Sequence, residues 1–395
     1  MKLNSPMSAS PFGSFLLACL LGTMFAAAWL WVGEPWEVLA DGRHYVAMYR
    51  GEPAAAPFAY RILVPAVARS LAWDMHTSFA IVTLGCLILT TGVLALYAIE
   101  TRVSWFRGLT MCAFWGLSFP FAYYATTRIR ADAPMLLLLV VTYWLSHRRV
   151  PAIAIASLVA LGGLSHELML VCLPALWLDK VFLEEGGGGL TGGARYHWRE
   201  LALISAIPLV VLLGARLVIP ALSGQVSYAT ASPLNMFVRV LEYSGGPVKL
   251  ALRIYAALGP AALFAIFFAL SRRASADAKS FAGLGLIAIG ATLFANDTLR
   301  VLEIFCVPAL LFAACYLESL WRAGMRTRAL VLVAVQASYS YVVYGHLRTF
   351  ESSRALNVTA ALLSLVALGL CLTASLGRPP RIQGERAVRA LAPTT

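Results

Sequence analysis

The sequence predicts an all-α fold, a polytopic bundle of transmembrane helices with about twelve spans, roughly ten to thirteen. Three observations carry that expectation. The 395 residues are 60% hydrophobic and only 13% charged, against about 25% charged in a soluble domain. Apolar runs of roughly 16 to 22 residues recur along the chain, the length a helix needs to cross a hydrocarbon layer about 30 Å thick. No segment is polar enough to build a soluble core, so residues 1–377 read as one integral membrane domain. A Gly-rich linker (184–200) interrupts it and a basic tail (378–395) follows.

Taken in order, the first run lies at 14–32. Its AAA at 26–28 resembles a signal-peptidase site, but the run continues through WLWV, longer than a signal h-region, and reads as a retained span. DGRHYVAMYR (41–50) follows as the first connecting loop. PFAYRILVPAVARSLAW (57–73) is too short and too charged to span. Arg61 and Arg69 would lie about 80° apart on a helix, with Ile62, Leu63, Val67 and Leu71 facing lipid. It reads as an interfacial helix broken by Pro57 and Pro65, or as a re-entrant connector. The remaining spans are placed at 77–98, 106–125, 133–146, 150–165, 168–183, 201–221, 250–270, 281–296, 301–320, 329–345 and 356–377.

Counting bases gives an orientation. With alternate loops and both termini grouped together, 18 of 31 Lys and Arg fall on one face, including the clusters SHRR and SRRASADAK. That face is expected to be cytoplasmic, with both termini inside an inner (plasma) membrane. The net charge of +12 is scattered over short loops rather than gathered in a patch. It points to topology and to contact with anionic lipid, not to nucleic acid. Seven cysteines, odd in number and without CxxC spacing, all lie in apolar runs and support neither a disulfide framework nor a zinc site. EEGGGGLTGG lacks the GK[ST] of a phosphate loop and reads as linker.

The opposite face is unusual because acids sit beside bases where spans begin and end. Asp41 lies near Arg43, His44 and Tyr45; Arg128 and Arg130 near Asp132; His166 beside Glu167; Asp297 near Arg300. Ionisable groups at membrane depth are costly and usually face a polar cavity or a partner. Each could singly be an interfacial residue in headgroup water. Four clusters on one face point to a shared cavity. YSYVVYGHLR (339–348) adds three tyrosines and His346, read as an interfacial belt or as a platform for a sugar ring.

DGRHY after the first span, together with RADAP (130–134) and the Gly-containing turn LGGLSHE (161–167), resembles the GT-C superfamily of membrane glycosyltransferases, over roughly residues 10–180. The resemblance implies a sugar moved from a polyprenyl-phosphate donor to a glycan, lipid or protein acceptor at the periplasmic face of a bacterial inner membrane. It makes Asp41 and Asp132 the candidate catalytic acids, with Asp41 as base. Arg43, His44, Tyr45, Arg61, Arg128, Arg130, His166, Glu167, Asp297 and Arg300 become candidates for binding sugar or phosphate. These residue types fit the chemistry: a carboxylate can deprotonate an acceptor hydroxyl, and guanidinium groups can receive a departing phosphate. Attack from behind would invert the anomeric centre. The first loop lacks the paired acids of a DxD motif and His166 stands where many relatives have Lys, so no cofactor is expected, with a divalent metal as the alternative that no paired-acid motif supports. The alternative is a polytopic transporter or lipid-linked glycan flippase, since twelve spans split by a central linker also describe major-facilitator carriers. The loop ETRVSWFRG, however, lacks the Gly-Asp-Arg of those carriers.

Overall fold

The structure is a computed structural model that describes residues 11–32, 40–100, 105–148, 150–174, 176–177, 194–222, 242, 246–270, 298–344 and 354–376. Among these residues it is helical, with no strand. The helices are α1 (Pro11–Val32), α2 (Ala40–Arg50), α3 (Leu63–Ser70), α4 (Met75–Glu100), α5 (Trp105–Gly116), α6 (Phe119–Thr127), α7 (Asp132–His147) and α8 (Ala152–Ser165). They continue as α9 (Ala194–Val218), α10 (Pro247–Leu258), α11 (Pro260–Leu270), α12 (Thr298–Arg322), α13 (Arg326–Tyr344) and α14 (Arg354–Leu376). Four stretches, Pro11–Val32, Met75–Glu100, Trp198–Val218 and Ala355–Ala374, are long and apolar enough to cross a membrane, as an integral membrane protein requires. Asp132–Ser146, Ala152–Ser165 and Pro260–Leu270 are shorter apolar helices. The span expected at 281–296, residues 184–193 of the expected linker, His346 and the basic tail lie outside the described residues, while residues 194–200, expected as linker, are the start of α9.

Small residues let the first helix in. Along α1, Ser14, Ala18, Gly22 and Ala26 recur every fourth position and are its buried face, closed by Trp29. They pack on α4, where a Cβ on Gly22 would come within 2.8 Å of Thr91 Oγ1 and one on Gly92 within 2.5 Å of the Phe15 ring. Without a hydrophobic drive between helices in lipid, such close backbone approach is what dispersion needs.

Two runs expected as single spans are broken, and each break is repaired by neighbours. In 106–125 the helix stops at Gly116. Ser118 then caps α6, accepting from Phe121 N–H, with Pro120 in the first turn. The freed carbonyls accept from elsewhere: Gly116 C=O from Trp29 Nε1 at 2.7 Å and Leu117 C=O from Ser340 Oγ at 2.6 Å. In 250–270, Gly259 takes a positive φ of 59° and Pro260 cannot continue the hydrogen-bond ladder. Gln336 bridges this gap, accepting from Ala261 N–H at 2.8 Å and donating to Leu258 C=O. Tyr344 OH covers Ala256 and Ala257 C=O. Backbone groups away from water must be satisfied inside the protein, which explains the polar residues of α13.

At the end of the bundle opposite α2 and α3, buried charges close on one another. Arg107 of α5 donates through Nε (2.7 Å) and Nη2 to Glu318 of α12, whose other oxygen meets Arg322 at 2.5 Å. Glu100 receives Trp144 Nε1 and Arg148 of α7.

Candidate functional site

The other end carries the short elements. DGRHY is not a loop. It opens α2, with Asp41 in the first turn where a carboxylate complements the helix N-terminus. The stretch expected as one interfacial helix is instead a 3₁₀ turn at Phe58–Tyr60 followed by the eight-residue α3, with Arg61 between them. Tyr45, Val64, Ala68, Phe79, Ile129 and Ala131 form a separate small core that fixes α2 and α3 to α4 and to the α6–α7 turn. Ser165 Oγ donates to Ala131 C=O at 2.5 Å, which sets the end of α8 beside the start of α7.

Of the expected neighbours in sequence only His166 and Glu167 meet, Nδ1 to Oε2 at 3.8 Å, and the strongest contacts of the acids are with residues far along the chain. Asp41 accepts from Arg130 Nη1 at 2.8 Å, 89 residues away, rather than from Arg43. Asp132 faces His166 Nε2 at 3.4 Å rather than Arg128 or Arg130. Glu167 takes Arg61 in a bidentate grip, Nε to Oε2 at 2.9 Å and Nη2 to Oε1 at 2.5 Å, across 106 residues. Asp41 and Arg43 lie two apart on α2 and so do not face each other. Arg61 also donates to Tyr45 OH at 3.1 Å and lies over the Phe58 ring at 5.0 Å. It is only 6% exposed, turned inwards rather than towards lipid headgroups. Arg130 donates its Nη2 to Tyr123 OH at 2.6 Å.

Exposure grades the two strings of side chains. Asp132 is fully buried, His166 nearly so, and Glu167 is 37% exposed at its side chain. Arg130 is buried while Asp41 stands 25% exposed. Each string thus ends in a partly open carboxylate backed by a buried guanidinium. His166 Nδ1 accepts from Leu168 N–H at 3.2 Å, so in the neutral ring the proton sits on Nε2, towards Asp132. Burial alone would raise the Glu167 pKa. The His166 ring and the Arg61 guanidinium beside it outweigh that and hold the carboxyl at about 2.

Other candidates occupy lesser places. Arg43 is exposed on α2, and the half-buried His44 stacks flat on Phe58 with centroids 4.5 Å apart. Arg128 has φ 43° and ψ −39°, outside the comfortable regions for any side-chain-bearing residue. Its carbonyl is tied to Thr83 Oγ1 at 2.6 Å, and its Nε is buried without a hydrogen-bond partner among the described residues. Asp297 and the Arg300 side chain lie outside the described residues. Of the tyrosines at 339–348, Tyr339 and Tyr344 are buried in the bundle core and only Tyr341 is exposed, so neither a belt nor a sugar platform describes the first two. Tyr123 was missed, since an aromatic inside an apolar run carries no sign that an arginine will reach it. Among the described residues no cluster of three or more His, Cys, Asp or Glu could hold a metal ion.

Compared with known proteins, the chain matches no family model, no curated protein and no solved structure.

Proposed function

We propose that the chain is a membrane glycosyltransferase that moves a sugar from a polyprenyl-phosphate donor to an acceptor hydroxyl on the non-cytoplasmic side of a bacterial inner membrane. The supporting observation is the pair of partly open carboxylates, Asp41 and Glu167, each held by a buried arginine at the same end of the bundle. Asp41 is the more reasonable base. It is accessible, and Arg130 at 2.8 Å orients it. Glu167 is fastened by two hydrogen bonds from Arg61 and suits the binding of sugar hydroxyls. Asp132, fully buried against His166, cannot reach an acceptor and is assigned to positioning that ring. The orientation rests on the excess of basic residues, 18 of 31, on the opposite face.

A carrier would place its ionisable residues around a central site between two halves, whereas these acids gather at one end. Radiolabelled polyprenyl-phosphate sugars offered to the purified protein test the reading. Asp41→Asn is expected to lower transfer by about 100-fold or more, the usual yield of a general base. Undiminished transfer by that variant would remove Asp41 from the mechanism.

A further inference from the structure

Arg216 sits where an arginine is hard to explain by packing. It lies in the last turn of α9, among the exposed apolar side chains Leu213, Leu217 and Val218. No carboxylate among the described residues pairs with it; its guanidinium instead rests 5.6 Å from the centroid of the Tyr60 ring. An arginine near the end of a lipid-exposed helix commonly snorkels to headgroup water. This one is turned to a ring whose next residue, Arg61, grips Glu167.

Two further contacts set the level of Arg216. Leu212, one turn earlier on the same face, packs so closely on α8 that a Cβ on Gly163 would lie 2.9 Å from it. Gly163 lies in the last turn of α8, four residues before Glu167. Beyond the helix, Leu222 N–H donates to Ala54 C=O at 3.0 Å, which pins the end of α9 to the segment between α2 and α3. Arg216 is thereby held beside the candidate site on its lipid-exposed flank. It adds positive charge where Arg61 and Arg130 are already occupied by carboxylates.

We propose that Arg216 binds the phosphate of the lipid substrate, and that this lipid reaches the site along α9. The inference rests on the proposed function and names the side and the residue by which its donor is held. A guanidinium at headgroup depth offers a phosphate two parallel hydrogen bonds, and the apolar residues of α9 before it offer a surface for a prenyl chain. Tyr60 keeps the guanidinium in place when no phosphate is present.

The full-length protein in phosphatidylcholine nanodiscs tests this with a photoreactive C55 prenyl phosphate, the matching prenyl alcohol as competitor, and inorganic phosphate. Wild type is expected to prefer prenyl phosphate to the alcohol by at least about tenfold, and R216Q to lose that preference. R216K, which keeps the charge but not the fork, should retain part of it and guards against a folding defect. An unchanged preference in R216Q would overturn the assignment of Arg216 while leaving the donor class intact. No preference in wild type would instead overturn the donor class proposed above. Equal protection by inorganic phosphate and prenyl phosphate would mean that Arg216 holds a free anion, and would sink the lipid route.

Discussion

The Arg61–Glu167 pair permits the most demanding test, because it joins the 3₁₀ turn after α2 to the end of α8 and its energetics can be worked through. Glu167→Gln keeps shape and one acceptor oxygen but sets an NH₂ against an Arg61 donor. One charge-assisted hydrogen bond is lost, worth about 1.5–3 kcal/mol. Arg61 stays buried with its charge less compensated, although Glu167 is 37% exposed and water can recover part of the loss. The expected cost is therefore about 2 kcal/mol. In a chain of 395 residues that is a fall in melting temperature of about 4 °C, from the roughly 2 °C per kcal/mol of large domains. Helical circular dichroism in detergent measures it. In the cycle with Arg61→Met, the two losses should fall short of additivity by about 1–2 kcal/mol. Additive losses would refute the pair.

The same carboxyl gives a pH signature. Its pKa is depressed on folding, from 4.5 to about 2, so its stabilisation is complete above the unfolded value and is lost as pH falls through that window. Wild type should thus lose more stability than Glu167→Gln between about pH 5 and pH 2. Parallel curves for the two proteins would mean that Glu167 is not held by charge.

Five other variants probe the bundle. Glu318→Ala strips Arg107 of its buried partner and should cost about 3–5 kcal/mol in denaturant unfolding, while Arg107→Met with Glu318→Leu should recover most of it. Gly22→Leu drives a side chain into Thr91 and the Ile88 backbone, with an expected loss of about 1–3 kcal/mol and increased cleavage near α1 in limited proteolysis. Gln336→Leu leaves the break before Pro260 unbridged and should cost about 1–3 kcal/mol. Arg128→Gly relieves the positive φ and should hold or raise the melting temperature; if the strain belongs to the site, sugar transfer falls at the same time.

The helices that sequence places well are those decided by hydropathy alone. The runs at 14–32, 77–98 and 356–377 correspond to α1, α4 and α14 within a few residues, and 201–221 to α9, which begins seven residues earlier. Averaging over a run hides what interrupts it. Ser118–Pro120 and Gly259–Pro260 were visible as residues, but whether such a stretch ends a helix depends on hydrogen-bond partners from elsewhere, here Ser340, Trp29 and Gln336. The charged clusters were legible for the same reason as the spans, since ionisable groups stand out in apolar sequence. Their pairing, His166 beside Glu167 apart, was not. Asp41 meets Arg130 and Arg61 meets Glu167 only once α2, α7 and α8 are brought to one end. No local rule encodes that choice.

The two ends of the bundle use similar chemistry to different effect. Glu318 is 4% exposed at its side chain, with one oxygen on Arg107 and the other on Arg322, so the charge is enclosed and spent on joining α5 to α12. At the α2–α3 end the guanidinium groups are the buried partners, and the carboxylates of Asp41 and Glu167 stay partly open. A pair serving only cohesion gains nothing from that arrangement, because exposure weakens the attraction by admitting water. An open carboxylate fixed by an enclosed arginine is, however, what a reacting hydroxyl would require, a charge already oriented before the substrate arrives. Arg128 adds a backbone held away from its preferred conformation between α6 and the start of α7. Open acids and strained backbone together at one end are what the proposed chemistry there would use.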